Sequence, residues 1–279
     1  MKTALVLEGG AMRGLYTAGV IDSLLENNIK VDAIIGVSQG ALLGINYASK
    51  QKGRGIRYNR KYIKNKNYIG FYSLLKTGNI VNKEFCFNTL PNKLDIFDYE
   101  EYYKSNLDYY VTVTNVETGE PEYHKVKKLE EEVEYLRASS SMPLVSKIVK
   151  INDKKYLDGG VADSIPVKKA IELGYEKIIV VLTRPIEYSK KKVAIKPYEL
   201  RYKEYPKFID AMKIRHIKYN ETVENIKELE SKNEIFVIRP TKDLKIKRLE
   251  KNIKKINSIY ELGVNDCNEK IKELKNYLK

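Results

Sequence analysis

One stretch near the start of the chain constrains its fold more than any other: Val31-Asp-Ala-Ile-Ile-Gly36-Val37-Ser38-Gln39-Gly40-Ala-Leu-Leu. A short β-branched run enters Gly-x-Ser-x-Gly, and an alanine- and leucine-rich run leaves it. The pattern predicts strand, sharp turn and helix, with Ser38 at the apex. The backbone around so tight a turn is crowded, and Gly36 and Gly40 supply flanks without side-chain bulk. The serine oxygen then stands above the sheet edge. The N-terminus of the following helix offers N–H groups to a negative charge developing there. An ordinary βα turn that happens to hold a serine would look the same, so the rest of the chain has to decide.

A chain of 279 residues can build one large α/β domain or two small ones. It contains no run of eighteen apolar residues, which argues against a transmembrane helix. Met1-Lys-Thr-Ala-Leu-Val-Leu-Glu8 reaches an acid after four apolar residues, so it reads as a first strand rather than a signal peptide. Cys86 and Cys267 lie far apart, suggest no disulfide framework or metal cluster, and fit a reduced, cytoplasmic setting. The formal charge of +14 invites a polyanion. The same charge arises from a composition rich in lysine, asparagine, isoleucine and tyrosine. If it is functional, peripheral contact with an anionic membrane surface fits better than nucleic acid, because no nucleic-acid-binding motif is visible.

In chain order, Thr3–Leu7 reads as a buried parallel strand and leads into Glu8-Gly9-Gly10-Ala11-Met12-Arg13-Gly14. Such a loop between strand and helix is an anion cradle, since small residues let successive N–H groups converge. A dinucleotide site would need an acid at the end of the second strand, and here that strand ends in the serine turn instead. An oxyanion hole beside the serine is the better reading. A helix is expected over Gln39 to Lys50. Seven basic residues between Lys52 and Lys66 follow with no acid among them, interleaved with Tyr58 and Tyr62 and leading to Tyr68. They read either as a solvated face or as a surface for anionic headgroups with tyrosines at the interface. The aromatic stretch from Gly70 to Asp108 suggests short helices packed over the sheet.

Tyr109–Thr114 alternates as a strand, Glu122–Val126 returns as its hairpin partner, and a helix runs from Leu129 to Ser139. Ser139, Ser140 and Ser141 precede Pro143, where serines usually cap and turn. A hairpin over 147–157 delivers Asp158-Gly159-Gly160, a carboxylate that something can approach closely, or a plain turn. Lys177–Thr183 is another buried strand, 187–206 a loop, and 207–230 an amphipathic helix with His216 in its buried stripe. A last short strand, Ile235–Ile238, precedes terminal helices.

A serine near neutral pH needs a base. The chain holds two histidines, and the order Ser38, Asp158, His216 matches an α/β-hydrolase triad. Against it, the elbow falls on the second strand, and a histidine in a helical stripe is more often a core residue. The other candidate base is Asp158 itself, which can take the proton directly if partial desolvation raises its pKa.

Four motifs in order make the chain resemble the patatin-like phospholipases of bacteria. They are Gly9-Gly10-Ala11-Met12-Arg13-Gly14, Gly36-Val37-Ser38-Gln39-Gly40, Ala138-Ser139-Ser140-Ser141-Met142-Pro143 and Asp158-Gly159-Gly160. Together they span residues 3 to 185, and the C-terminal part resembles an extension found in one bacterial subgroup. The resemblance implies a three-layer α/β/α sandwich with a mainly parallel sheet. It implies a catalytic domain over 1–185 and an extension over 186–279 packed on it. It further implies a Ser38–Asp158 dyad that hydrolyses acyl esters of lipids without cofactor or metal, with Gly10, Ala11 and Gln39 N–H groups, helped by Arg13, holding the oxyanion. Ala11 stands where the family often has glycine, and only a modest narrowing of the loop is expected. Gln39 replaces a small residue, so it is expected to affect substrate range more than chemistry. A catalytically weak lipid-binding protein is the alternative from a different class.

Overall fold

The computed structural model describes every residue from Met1 to Lys279. Its strands are β1 (Thr3–Leu7), β2 (Ala33–Val37), β3 (Asp108–Asn115), β4 (Pro121–Val126), β5 (Val149–Ile151), β6 (Lys154–Asp158), β7 (Lys177–Val181) and β8 (Phe236–Ile238). All eight join one sheet. β8, β7, β1, β2 and β3 run parallel in that order, while β4 and β6 pair with β3 antiparallel and β5 closes the β5–β6 hairpin.

The continuous apolar strands follow from burial on both faces. Alternate side chains divide between two cores. Leu5, Leu7, Ile34, Ile179 and Val181 face one helical layer, packing with Leu15, Leu24, Leu43, Ile256 and Leu274. Ala4, Val6, Ala33, Ile35, Ile178 and Val180 face the other, with Ala170, Tyr219, Val223 and Ile226. The first layer holds helices Gly14–Glu26, Gln39–Ala48 and Ile253–Tyr277; the second holds Val167–Glu172 and Pro206–Ser231. The fold is a three-layer α/β/α sandwich with added C-terminal helices. Helices Gly14–Glu26 and Ile253–Tyr277 cross backbone to backbone: a Cβ on Gly19 would strike the Tyr260 carbonyl, and one on Gly263 would strike that of Tyr16.

Register places the site. Thr112 of β3 pairs with Val37 on one side and with Tyr123 of β4 on the other. Val113 pairs with Asp158 on one side and with Glu122 of β4 on the other. β2 and β6 therefore share the same edge of β3 and meet end to end, with Val37 and Asp158 opposite consecutive residues. The residue after Val37 is Ser38.

Three expectations need correction. The helix after the serine turn ends at Ala48, with Ser49 as its cap, rather than at Lys50. The segment 187–206 contains a helix, Lys196–Arg201, opened by a proline in its first turn. The basic stretch is not a tyrosine-rimmed interface, because Tyr58, Tyr62 and Tyr68 are buried. Arg54 is buried as well, its Nη2 donating to the Asp95 carbonyl at 2.7 Å, and Arg57 Nε donates to Asp95 Oδ2 at 2.8 Å. The acid that pairs with both arginines, Asp95, lies some 40 residues further along the chain. The apolar surface residues nearby are instead Phe71, Tyr72 and Leu75, on helix Phe71–Thr77. No helix is long and apolar enough to cross a membrane.

Candidate active site

The serine turn has the backbone its sequence demands. Ser38 sits at φ 53° and ψ −124°, a conformation that non-glycine residues rarely adopt. A Cβ on Gly36 would come to 2.6 Å from Ala41 Cα, and one on Gly40 to 2.6 Å from the Leu7 carbonyl oxygen. Both flanks are closed to side chains by main chain. The strain is held by hydrogen bonds on either side. Ser38 N–H donates to Ser139 Oγ at 2.8 Å, and Ser139 Oγ donates to the Thr112 carbonyl at 2.6 Å. Ser139 thus ties the turn to β3. From the residues alone it reads as a cap, while the resemblance to an Ala-Ser-x-x-x-Pro segment, in which Ser139 is the fixed serine, marks the position without a role.

Asp158, at the end of β6, points at the same spot. Ser38 Oγ donates to Asp158 Oδ2 at 2.8 Å, and Gly160 N–H donates to Asp158 Oδ1 at 2.8 Å. Asp158 N–H donates to the Ser141 carbonyl at 2.9 Å, and Thr114 Oγ1 donates to the Asp158 carbonyl at 2.9 Å. Ser38 and Asp158 are 8% and 7% exposed, enough for a small reactant to touch them and little enough to exclude bulk water. Burial raises the Asp158 pKa above the ordinary carboxylate value; the Gly160 N–H, the Ser38 hydroxyl, Arg215 and Lys190 act against that rise. A carboxylate with a raised pKa is a stronger proton acceptor than one free in water.

His216 does not join them. It lies half-buried on helix Pro206–Ser231 and makes no hydrogen bond with Ser38 or Asp158. It is not a core residue either, since it lines a polar groove beside Glu8 and Lys190. His124, on β4, stacks on Tyr135 and pairs with Glu132, away from the serine.

The glycine-rich loop stands beside the serine because β1 and β2 are adjacent, with Leu7 opposite Gly36. Gly9 packs against Ser38, and Gly14 leaves room for the Gln39 side chain. The N–H groups of Gly10, Ala11 and Gln39 donate to no acceptor in the protein; that of Gln39 is in the first turn of its helix, where donors are free by construction. Gly159, like the elbow glycines, is closed in by main chain, here the Thr112 carbonyl. Arg13 lines the groove beyond Ser38, and its buried Nε has no hydrogen-bond partner. The root of the loop is fixed by Glu8, whose carboxylate accepts from Thr183 N–H at 2.5 Å, Thr183 Oγ1 at 3.0 Å and the Tyr219 hydroxyl at 2.8 Å.

Ala11 holds a left-handed backbone, φ 47°, in a residue that carries a Cβ. That conformation costs on the order of 1 kcal/mol in a non-glycine residue. Ala11→Gly is therefore expected to keep or slightly raise the thermal midpoint. An Ala→Gly change inside a helix instead loses about 1 kcal/mol. Thermal melts of Ala11→Gly and of Ala18→Gly, in helix Gly14–Glu26, check the contrast.

Two spaces meet at Ser38. One is an apolar cavity lined by Met12, Leu42, Ile45, Phe87, Leu90 and Leu136, with Gln39 also in its lining. The other is a groove of mixed lining that runs past Asp158 and Arg13, with Met142, Val145 and Met212 among its apolar walls. A family model, Patatin-like phospholipase, matches residues 5–171. That is more than half of the chain, and it includes both Ser38 and Asp158.

The chain belongs to the patatin-like phospholipase family.

A second model, a domain of unknown function (DUF6363), matches residues 205–279 of this patatin-like chain. The uncharacterized protein YjjU of Escherichia coli (strain K12) is 25% identical over 268 residues, covering 94% of this chain and 75% of its own length. Lysophospholipase nte1 of Aspergillus oryzae is 28% identical over 188 residues, which are 64% of this chain but 12% of the fungal protein. The probable lipid hydrolase 463L of Invertebrate iridescent virus 6 is 25% identical, over 62% of this chain and 64% of its own length. This chain thus corresponds to a small part of the fungal lysophospholipase and to most of YjjU.

Proposed function

We propose that this patatin-like protein is a lipid acyl-ester hydrolase in which Ser38 is the nucleophile and Asp158 its base. The observation that carries the reading is the 2.8 Å hydrogen bond from Ser38 Oγ to Asp158 Oδ2, with no imidazole between them. As Ser38 Oγ bonds to the ester carbonyl carbon, its proton passes to Asp158. The carbonyl oxygen becomes an oxyanion facing the free N–H groups of Gly10, Ala11 and Gln39, with Arg13 adding charge nearby. Collapse breaks the carbon–oxygen bond to the alcohol, which leaves with the proton from Asp158. Water then attacks the acyl-serine, gives its proton to Asp158, and the fatty acid departs as Ser38 regains its hydrogen. The acyl chain lies in the apolar cavity, whose walls match hydrocarbon. The relatives named for lysophospholipid and lipid hydrolysis support a lipid ester as the substrate class.

Hydrolysis of a short-chain chromogenic ester tests the roles. Ser38→Ala is expected to remove activity to background. His216→Ala is expected to stay within about threefold of wild type, well short of the 10²–10⁴-fold that a general base contributes. Loss of activity in His216→Ala comparable to that in Ser38→Ala would restore the triad.

A further inference from the structure

The groove beside Ser38 carries cations that ester hydrolysis alone does not explain. It leaves Ser38 and Asp158, passes Arg13, Arg215 and Arg248, and continues to Lys190. None of these four cations has a carboxylate within 4.0 Å. Two carboxylates besides Asp158 line the groove. Glu8 is occupied by Thr183 and Tyr219, and Glu187 lies exposed in the loop after β7. Lys190 Nζ rests 3.8 Å from the centre of the Tyr219 ring, and its one hydrogen bond is a long one, 3.4 Å, to Ser164 Oγ. Arg215 Nε donates to the Gly160 carbonyl at 2.6 Å, which steers its guanidinium toward the serine end of the groove. Arg13 Nε is buried without a partner. Burial and mutual repulsion hold the pKa of Lys190 well below the ordinary lysine value, and burial with Arg184 nearby depresses that of Arg13. Arg13, Lys190 and Arg215, desolvated and unpaired, are stabilised by a bound anion, while Arg248 is exposed and lines the same groove.

The four come from four segments. Arg13 belongs to the glycine-rich loop, Lys190 to the loop after β7, Arg215 to helix Pro206–Ser231 and Arg248 to the loop before the last helix. Three lie beyond residue 185, so the C-terminal extension supplies most of the charge. Geometry sets what the anion is attached to. With the ester carbonyl at Ser38 and the acyl chain in the apolar cavity, the groove is the remaining exit, and it receives the alcohol side of the ester. Guanidinium forks converging from several directions suit a phosphate, which offers acceptor oxygens on several sides.

We propose that this groove binds a phosphate carried on the leaving alcohol, so that the preferred esters are lysophospholipids whose headgroup is net anionic. The proposal rests on Ser38 as nucleophile and names the substrate of that site. A zwitterionic choline headgroup fits less well. Its ammonium would enter a cationic groove whose Tyr188 and Tyr219 rings already face Arg184 at 4.1 Å and Lys190 at 3.8 Å.

The test compares kcat/KM of the full-length protein for oleoyl lysophosphatidate, oleoyl lysophosphatidylcholine and monooleoylglycerol, each as monomer. Wild type is expected to prefer lysophosphatidate over both others by at least tenfold. In Lys190→Gln and Arg248→Gln, the ratio of lysophosphatidate to monooleoylglycerol is expected to fall at least tenfold. A wild-type ratio near one, or a ratio that stays at the wild-type value in both variants, would overturn the headgroup site. Calorimetric binding of sn-glycerol 3-phosphate gives a readout that needs no turnover. It is expected to bind wild type and to weaken at least tenfold in both variants. Inorganic phosphate binding as tightly as glycerol 3-phosphate would mark a free-phosphate site and overturn the proposal. Failure to hydrolyse any ester, with glycerol 3-phosphate still bound and lost in the variants, would sink the nucleophile assignment while leaving the phosphate site standing.

Discussion

Asp158→Asn is expected to lower kcat for any ester by at least about 10³-fold, the upper range of what a positioned base contributes. An asparagine retains the shape and keeps one oxygen for hydrogen bonding, but it cannot take the proton from Ser38 Oγ. Because the serine has no second base in contact, nothing replaces the lost step. The pH dependence follows from the direction of the Asp158 shift. Burial raises its pKa above the ordinary carboxylate value. The base is present only above that raised pKa, so the acid limb of the wild-type kcat/KM profile is expected at a pH above the usual carboxylate range. Stability carries the opposite sign. A raised folded-state pKa gives a contribution that is full below the unfolded pKa and is lost as pH rises through the folded one. Ionised Asp158 thus weighs against the fold at neutral pH. The stability of Asp158→Asn relative to wild type is expected to improve as pH rises from the ordinary carboxylate value through the raised folded-state pKa, measured as paired denaturant midpoints. A flat difference across that range would remove the desolvation argument.

Gly40→Val is expected to damage fold and chemistry together. Its first side-chain carbon would sit 2.6 Å from the Leu7 carbonyl oxygen and 2.8 Å from that of Glu8. Both are main-chain atoms at the end of a central strand, so the helix must move rather than the neighbour. Overpacking of this kind costs about 3 kcal/mol, which for a chain of this size lowers the thermal midpoint by roughly 5 °C. A displaced helix carries Ser38 and the Gln39 N–H with it, and a shift of about 1 Å costs on the order of 10²-fold in rate. Thermal melts and ester hydrolysis of Gly40→Val read the two losses separately. A stable variant with full activity would show that the turn is looser than its geometry states.

How much of this was legible beforehand depends on the range of the interaction. β1, β2 and β7 were readable because strands buried on both faces must be apolar throughout. The serine turn was readable because its glycine flanks are a local steric demand. Ser38 and Asp158 are readable from the residues as chemical types, but their pairing is expected only through the family resemblance. Their contact depends on β2 and β6 meeting along one edge of β3, at Thr112 and Val113, and no local pattern encodes that pairing. The motif serine Ser139 carries no readable role for the same reason, since its partner Thr112 lies 27 residues back. The tyrosines at 58, 62 and 68 were misplaced because the charges between them looked unpaired. Asp95, distant in sequence, lets Arg54 go inside and take that surface with it. The cost at Ala11 lies in its φ, which residue size does not show. Lys190 lies in no motif, and Arg215 lies in an Asp210-Ala-Met-x-x-Arg-His216 pattern that implies no role, because a groove assembled from four segments has no sequence spacing.

The central claim is that Ser38 is an activated nucleophile served by Asp158. Labelling the full-length protein with a fluorophosphonate, then locating the adduct by peptide mass mapping, tests it most directly. Stoichiometric modification on Ser38, sharply slowed in Asp158→Asn and absent in Ser38→Ala, is the expected result. An unmodified Ser38 in a folded protein that still binds anionic lipid vesicles would contradict it and leave a lipid-binding protein in its place.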